Sequence, residues 1–304
     1  MQLSKANLRP FTDRPPFYRR VSREIKIMGV LTISRELGSG GDAIGKKVAE
    51  ELSWELLDIE GFAEAARSYG YVRAELERVD ERSPGLVDRF FRDRQLVYLD
   101  IMRAIVYECA LRDNYVILGR GGNSLLSGIP GVFRSRIIAP EDVRQRRLVA
   151  NEGLSASMAE EFLRHNDQER KSYTRYFFDV RWGDPGGFDL VLNTGFFEEE
   201  AVGRMLVRLM KREDFAKDAP SSSEELRNLS FAQKVKAALM TDDRIDASGI
   251  SVECSAGGQL FLHGRVNSQD EKDLSESIAG AFEGVESLNS ELVVMPPIEG
   301  WYPV

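Results

Sequence analysis

The chain has 304 residues, 42% of them hydrophobic, a net charge of −8 and a pI near 5.2. That length suits two domains with separate cores, and the acidic balance excludes a general attraction to nucleic acid or to an anionic membrane surface. Two scattered cysteines, Cys109 and Cys254, and two histidines, His165 and His263, make neither a disulfide framework nor a zinc site.

Residues 1–26 carry Pro10, Pro15 and Pro16 among basic residues and show no period, so they read as an extended arm. Ile27–Ile33 is apolar but too short to span a membrane and lacks a small-residue cleavage site. The expected location is the cytoplasm, with no membrane span. Val30–Ile33 suits a buried parallel strand. Gly38-Ser39-Gly40-Gly41 follows, and Ile44, Val48, Ala49 and Leu52 then recur at helical spacing, which predicts a helix over 41–53. Strand, glycine turn and helix together form a phosphate cradle: glycines let backbone N–H groups close round an anion, and the helix N-terminus adds partial positive charge. Gly40-x-x-x-x-Gly45-Lys46 nearly fits the Walker pattern. Lys46, however, lies about 200° round the helix from Ile44, so the fit is accidental. Aligning strand with helix sets Gly41 at the lysine position and Asp42 near the magnesium-binding hydroxyl.

Trp54–Asp58 is a second short apolar run that ends in an acid. Residues 60–112 read as mostly helical, broken at Ser83-Pro84-Gly85. Tyr115–Leu118 is a buried strand followed by a second glycine turn, Gly119-Arg120-Gly121-Gly122, and Arg136–Ala139 is another strand. Alternating strands and helices predict a parallel sheet covered on both faces. Both glycine turns stand at strand C-termini, where such sheets bind ligands. Glu141–Arg147 is a helix that presents Arg144 and Arg147 on one face. Asp167–Arg181 mixes arginines with aromatics, Trp182–Gly187 is a turn, Asp189–Thr194 is a strand and Glu198–Lys211 a closing helix. The arginines suit either a salt-bridged surface or a mobile lid whose guanidinium forks grip phosphate oxygens. Residues 216–228 read as a linker. Beyond it, a helix through Phe231–Leu239, a hairpin of Ile250–Cys254 with Leu260–Val266, a helix through Leu274–Phe282 and a strand at Leu288–Met295 make a small α+β domain over 229–297.

In series, Thr32–Gly41, Val116–Gly121, Arg144–Arg147, Arg170…Tyr173…Arg175 and Asp189–Thr194 resemble the cytidylate kinase-like family of P-loop nucleoside monophosphate kinases. The resemblance runs over about residues 28–212 and sets a P-loop kinase-like domain at 27–215. It implies ATP and Mg²⁺ as cofactors and a nucleoside monophosphate, CMP-like, or a related small phosphate as acceptor. By position, Gly38, Ser39, Gly40, Gly41 and Asp42, with Arg35 beside them, hold the donor phosphates. Arg120 and Asp58 serve the acceptor, and Arg144, Arg147, Arg170 and Arg175 neutralise charge during transfer. Magnesium ligands are not assigned. The chain departs from the family pattern at Gly41, where a lysine is usual, at Gly121, where an aspartate follows Gly-Arg, and near Ser172, where a base-recognising aspartate falls. Residues 229–295 resemble a BON domain, which implies a small-ligand, partner or dimerisation role. The alternative to an enzyme is a non-catalytic nucleotide sensor that reports through that domain.

Overall fold

The computed structural model describes residues 29–67, 89–212 and 219–295. The expected arm at 1–26, the Ser83-Pro84-Gly85 break and the tail beyond Met295 lie outside the described residues.

Five parallel strands form the first sheet: β1 (Val30–Arg35), β2 (Glu55–Leu57), β3 (Tyr115–Leu118), β4 (Val132–Ile138) and β5 (Leu190–Asn193), in the order β2-β3-β1-β4-β5. The central strand β1 pairs with β3 through Val30↔Tyr115 and with β4 through Val30↔Val132. Burial on both sides explains the apolar runs: Val30, Leu31 and Ile33 are fully inaccessible. One face is covered by α1 (Gly41–Leu52), with Ile44 and Val48 against the sheet, and by α7 (Glu199–Met210), with Val202 and Leu206. The other face is covered by α2 (Ile59–Arg67) and the long α3 (Arg89–Leu111), beside the short α4 (Gly122–Leu125). Helices on both faces of a parallel sheet are the expected P-loop kinase-like arrangement. Two further helices, α5 (Glu141–Glu152) and α6 (Ala156–Phe178), pack together round Leu148, Ala159 and Leu163. The polar segment expected from Asp167 onward is the second half of α6, whose Ser155 hydroxyl caps its first turn.

The C-terminal sheet holds β6 (Ile250–Ser255), β7 (Gln259–Val266) and β8 (Ser287–Val294). β6 and β7 form the expected hairpin, and β8 runs parallel to β7 after the crossover helix α9 (Gln269–Gly280). The helix before the hairpin, α8 (Glu224–Met240), starts inside the stretch expected as linker. Ser223 caps it, and Leu226, fully buried, joins the core under α2 and α3. Val235 and Leu239 on the same helix belong to the C-terminal core. One helix therefore seals two cores, which explains why Leu226 is apolar in an otherwise polar connection.

Leu226→Ala should destabilise the first domain by roughly 2–5 kcal/mol, the usual cost of truncating a buried leucine. A fragment ending at residue 215 should likewise melt below the full chain. Equal melting temperatures for fragment and full chain would mean that α8 contributes nothing to the first core.

Candidate active site

The first loop leaves β1 at Arg35 and enters α1 at Gly41. Gly38 and Gly40 are left-handed, at φ 76° and 81°, a conformation that costs an L-residue about 1–2 kcal/mol. No side chain caps the first turn of α1, so its N–H groups face the loop opening. Ser39 is fully buried, and its hydroxyl has no hydrogen-bond partner in the loop. A Cβ on Gly41 would stand 2.5 Å from Cβ of Arg35. The missing side chain at the lysine position is thus the space across which Arg35 lies. From there Arg35 meets Asp42, Nη2 to Oδ1 at 2.8 Å. The cradle and its acid fit a donor triphosphate with its magnesium, which commonly takes one or two carboxylates and the phosphate oxygens. Lys46 is exposed on α1, Lys47 pairs with Glu200, and Gly45 is packed against Leu118. Gly45-Lys46 thus lies inside α1 and not at its start, where the Walker pattern sets the pair.

The expected lid arginines have distinct placements. Arg147 donates to Gly38 O (3.3 Å), Thr194 Oγ1 (2.9 Å) and Thr194 O (3.0 Å), while the Thr194 hydroxyl donates to Ser39 O at 2.7 Å. It braces the loop from behind. Arg144 is buried and forked onto Asp167 of α6 at 3.0 and 3.1 Å, with Leu37 O at 3.4 Å. Arg170 donates to Arg35 O at 2.9 Å and to Asn166 Oδ1 at 2.9 Å. Arg175 is not brought to the loop: it is exposed, 3.4 Å from Asp179 across one turn.

The second glycine turn converges on the same end of the sheet. Gly119, Arg120 and Gly121 are all left-handed, with Arg120 at φ 54°, and strain of this kind concentrates at binding sites. Arg120 is buried, donates to Tyr98 Oη at 3.1 Å and lies 4.9 Å over the Phe62 ring. Burial pushes its guanidinium down to about 10, the Tyr173 hydroxyl opposes this, Arg35 and Arg170 push the same way as burial, and Asp58 opposes. It remains a cation at neutral pH, in a pocket where cations outnumber the one acid among these neighbours. Asp58 itself accepts the N–H groups of Glu60 and Gly61 and so caps α2. A cleft of about 430 Å³ opens above Arg120, lined by Ser34, Arg134, Arg170, Tyr173 and Trp182 among others. Arg175 lines a second cleft of about 640 Å³ that shares Arg181 and Trp182 with the first.

Sequence reasoning missed Glu36, Arg136, Arg134 and Trp182. Glu36 Oε1 accepts from Arg136 at 3.2 Å, and Oε2 accepts the Ala139 N–H at 3.2 Å and stands 3.6 Å from Arg144 Nε. Arg136 stacks 4.3 Å over Trp182, and Arg134 grips Asp189 on β5. Two arginines at alternate positions of a strand packed on both faces were the available signal.

A model of the cytidylate kinase-like family matches residues 30–195, and a model of the BON domain matches residues 230–296. A cytidylate kinase from Haloarcula marismortui is 26% identical over 206 residues, 66% of this chain and 98% of that one. A uronate isomerase from Corynebacterium glutamicum is 30% identical over 103 residues, 34% of this chain; the match spans only 20% of the isomerase. A solved structure of an uncharacterized protein from Eubacterium ventriosum covers 60% of this chain and 99% of its own, with TM-score 0.46 and 23% identity.

Gly41→Ala forces two Cβ atoms together at the base of Arg35 and should cost roughly 1–3 kcal/mol, the usual penalty of overpacking. Lys46→Ala should stay within about 0.5 kcal/mol, as surface changes do. Urea titration of both variants makes the comparison, and a larger loss for Lys46→Ala would contradict this loop geometry.

Proposed function

The chain belongs to the cytidylate kinase-like family, with a BON domain behind the kinase-like one, and from that premise we propose that it transfers the γ-phosphoryl group of ATP to a nucleoside monophosphate or a related small phosphate. The observation that carries the reading is the juxtaposition of two anion sites at one sheet end. The glycine loop with its uncapped helix start suits the donor phosphates. The Arg120 cleft, which shares Ser34 with the end of β1, suits the acceptor.

The chain's own residues divide the work. Backbone N–H groups of Gly38 and of residues 40–42 hold the donor phosphates, and the Arg147–Thr194 brace keeps them in place. Arg120 binds the acceptor phosphate, and Arg35 and Arg170, both beside it, supply positive charge between the two sites. Magnesium would supply further charge neutralisation, and Asp42, the acid in the first turn of α1, would help to hold it. Phosphoryl transfer needs positioning and electrostatic stabilisation more than covalent help. A lysine is therefore replaceable by another cation at the same place, and Arg35 is the cation that lies across Gly41. The Arg35–Asp42 pair also favours a second reading, a nucleotide sensor that binds ATP and does not turn over, because Asp42 already occupies part of that cation's charge.

ADP release should appear with ATP-Mg²⁺ and at least one common nucleoside monophosphate. Arg120→Ala should raise the acceptor KM at least about tenfold, the loss of a charged hydrogen bond, and leave the ATP KM within about twofold. Equal loss for both ligands would contradict the division of sites, and ATP binding with no ADP release would favour the sensor.

A further inference from the structure

Arg120 is held by a residue outside both glycine turns. Tyr98, on α3, is buried, and its hydroxyl oxygen is the acceptor for Arg120 Nη1 at 3.1 Å. Its ring meets Phe62 edge-on at 5.8 Å, so Arg120 lies over one member of an aromatic pair and bonds to the other. One turn along α3, Met102 Sδ accepts the Tyr173 hydroxyl of α6 at 3.2 Å. Tyr173 also lines the acceptor cleft.

Asp100 lies two residues from Tyr98, about 200° round the helix, and so faces away from the cleft. It receives Arg103 at 3.3 Å and Lys236 Nζ of α8 at 3.7 Å. Lys236 is buried and donates to the carbonyls of Ala247 and Ile250, at the start of β6. It is thus built into the BON domain while its charge is answered by a carboxylate of the kinase-like domain. A buried ammonium beside a carboxylate of the other domain fixes geometry, because removing Asp100 takes away the nearest counter-charge of Lys236. Helix α3 therefore carries the Lys236 contact on one face and the Arg120 contact on the other, as one rigid element.

We propose that Tyr98 is a positioning residue for Arg120, and that Lys236, acting through Asp100, fixes the rotation of α3, so that the BON domain sets acceptor affinity without touching the acceptor. The inference rests on the assignment of the Arg120 cleft to the acceptor. It differs from a purely stabilising role in its selectivity: the donor loop is held by Arg147 of α5, Arg170 of α6 and Thr194 just past β5.

Calorimetry on the full chain tests it, with CMP as the acceptor probe and ATP as the donor probe. Tyr98→Phe keeps the ring and removes the hydroxyl. The CMP Kd should rise about tenfold or more, with the ATP Kd within about twofold. Lys236→Met should raise the CMP Kd too, and should add less than about twofold when Tyr98 is already Phe, because neighbours acting through one contact are not additive. Asp100→Asn replaces Lys236→Met if that variant does not fold. Unchanged CMP affinity in Tyr98→Phe, or equal loss for ATP, overturns the positioning role, and additive effects of the two variants overturn the link to the BON domain. A wild type that binds ATP and not CMP is a different result: it contradicts the acceptor assignment itself, and the inference falls with it.

Discussion

Glu36 is the acid on which the glycine loop between β1 and α1 is hung. Its carboxylate takes Arg136 from β4, the Ala139 N–H at the end of that strand and, more loosely, Arg144 from α5. Arg144 passes the tie on to Asp167 of α6 through a bidentate fork. Three elements that are distant in sequence are thereby fixed to one loop of five residues between β1 and α1. Burying so many charges is costly unless each is paired, and here the pairing is what defines the loop. Burial pushes the Arg136 guanidinium down, and Glu36 holds it up. Loss of Glu36 would take from buried Arg136 its bonded carboxylate and leave Arg144 on Asp167 alone, so the loop and the helices behind it form one cooperative unit.

This arrangement divides the arginines into two groups. Arg144, Arg136 and Arg147 are spent on carboxylates and loop carbonyls, and they shape the cradle. Arg120 and Arg170 line the cleft, and Arg35 lies across the space left by Gly41. The cationic field felt by Arg120 comes from Arg35 and Arg170. A cradle of N–H dipoles with guanidinium groups beside it is a workable substitute for a loop lysine, since the lysine acts there as a point charge.

Much of this was legible in the sequence. The strand at Val30, the glycine turn and the helical spacing of Ile44, Val48 and Leu52 gave the cradle, because burial on both faces and a 3.6-residue period leave separate traces. Lys46 was legible as a surface residue for the same reason. The arginine partners were not legible. A guanidinium stands several bonds from its Cα, so spacing says which face it leaves from and not which acid it meets. Arg175 shares the sequence character of Arg170, yet five residues further along α6 it faces Asp179 and solvent. The sequence offers Arg144 as a lid cation and does not show that Asp167, 23 residues later, holds both its Nη atoms. The start of α8 was hidden because Pro220 and three serines carry the composition of a linker, while the large apolar side chain that joins the core, Leu226, stands among polar neighbours.

In the proposed function, residues 38–42 form the anion cradle without a lysine. The most direct measurement is an amide ¹⁵N–¹H spectrum of the labelled full chain titrated with ATP-Mg²⁺. Saturable shifts should appear at Gly38, Ser39, Gly40, Gly41 and Asp42, with smaller changes at Thr194, whose hydroxyl is tied to Ser39. Saturable binding with those amides unmoved would contradict it and would take the nucleotide site away from this loop.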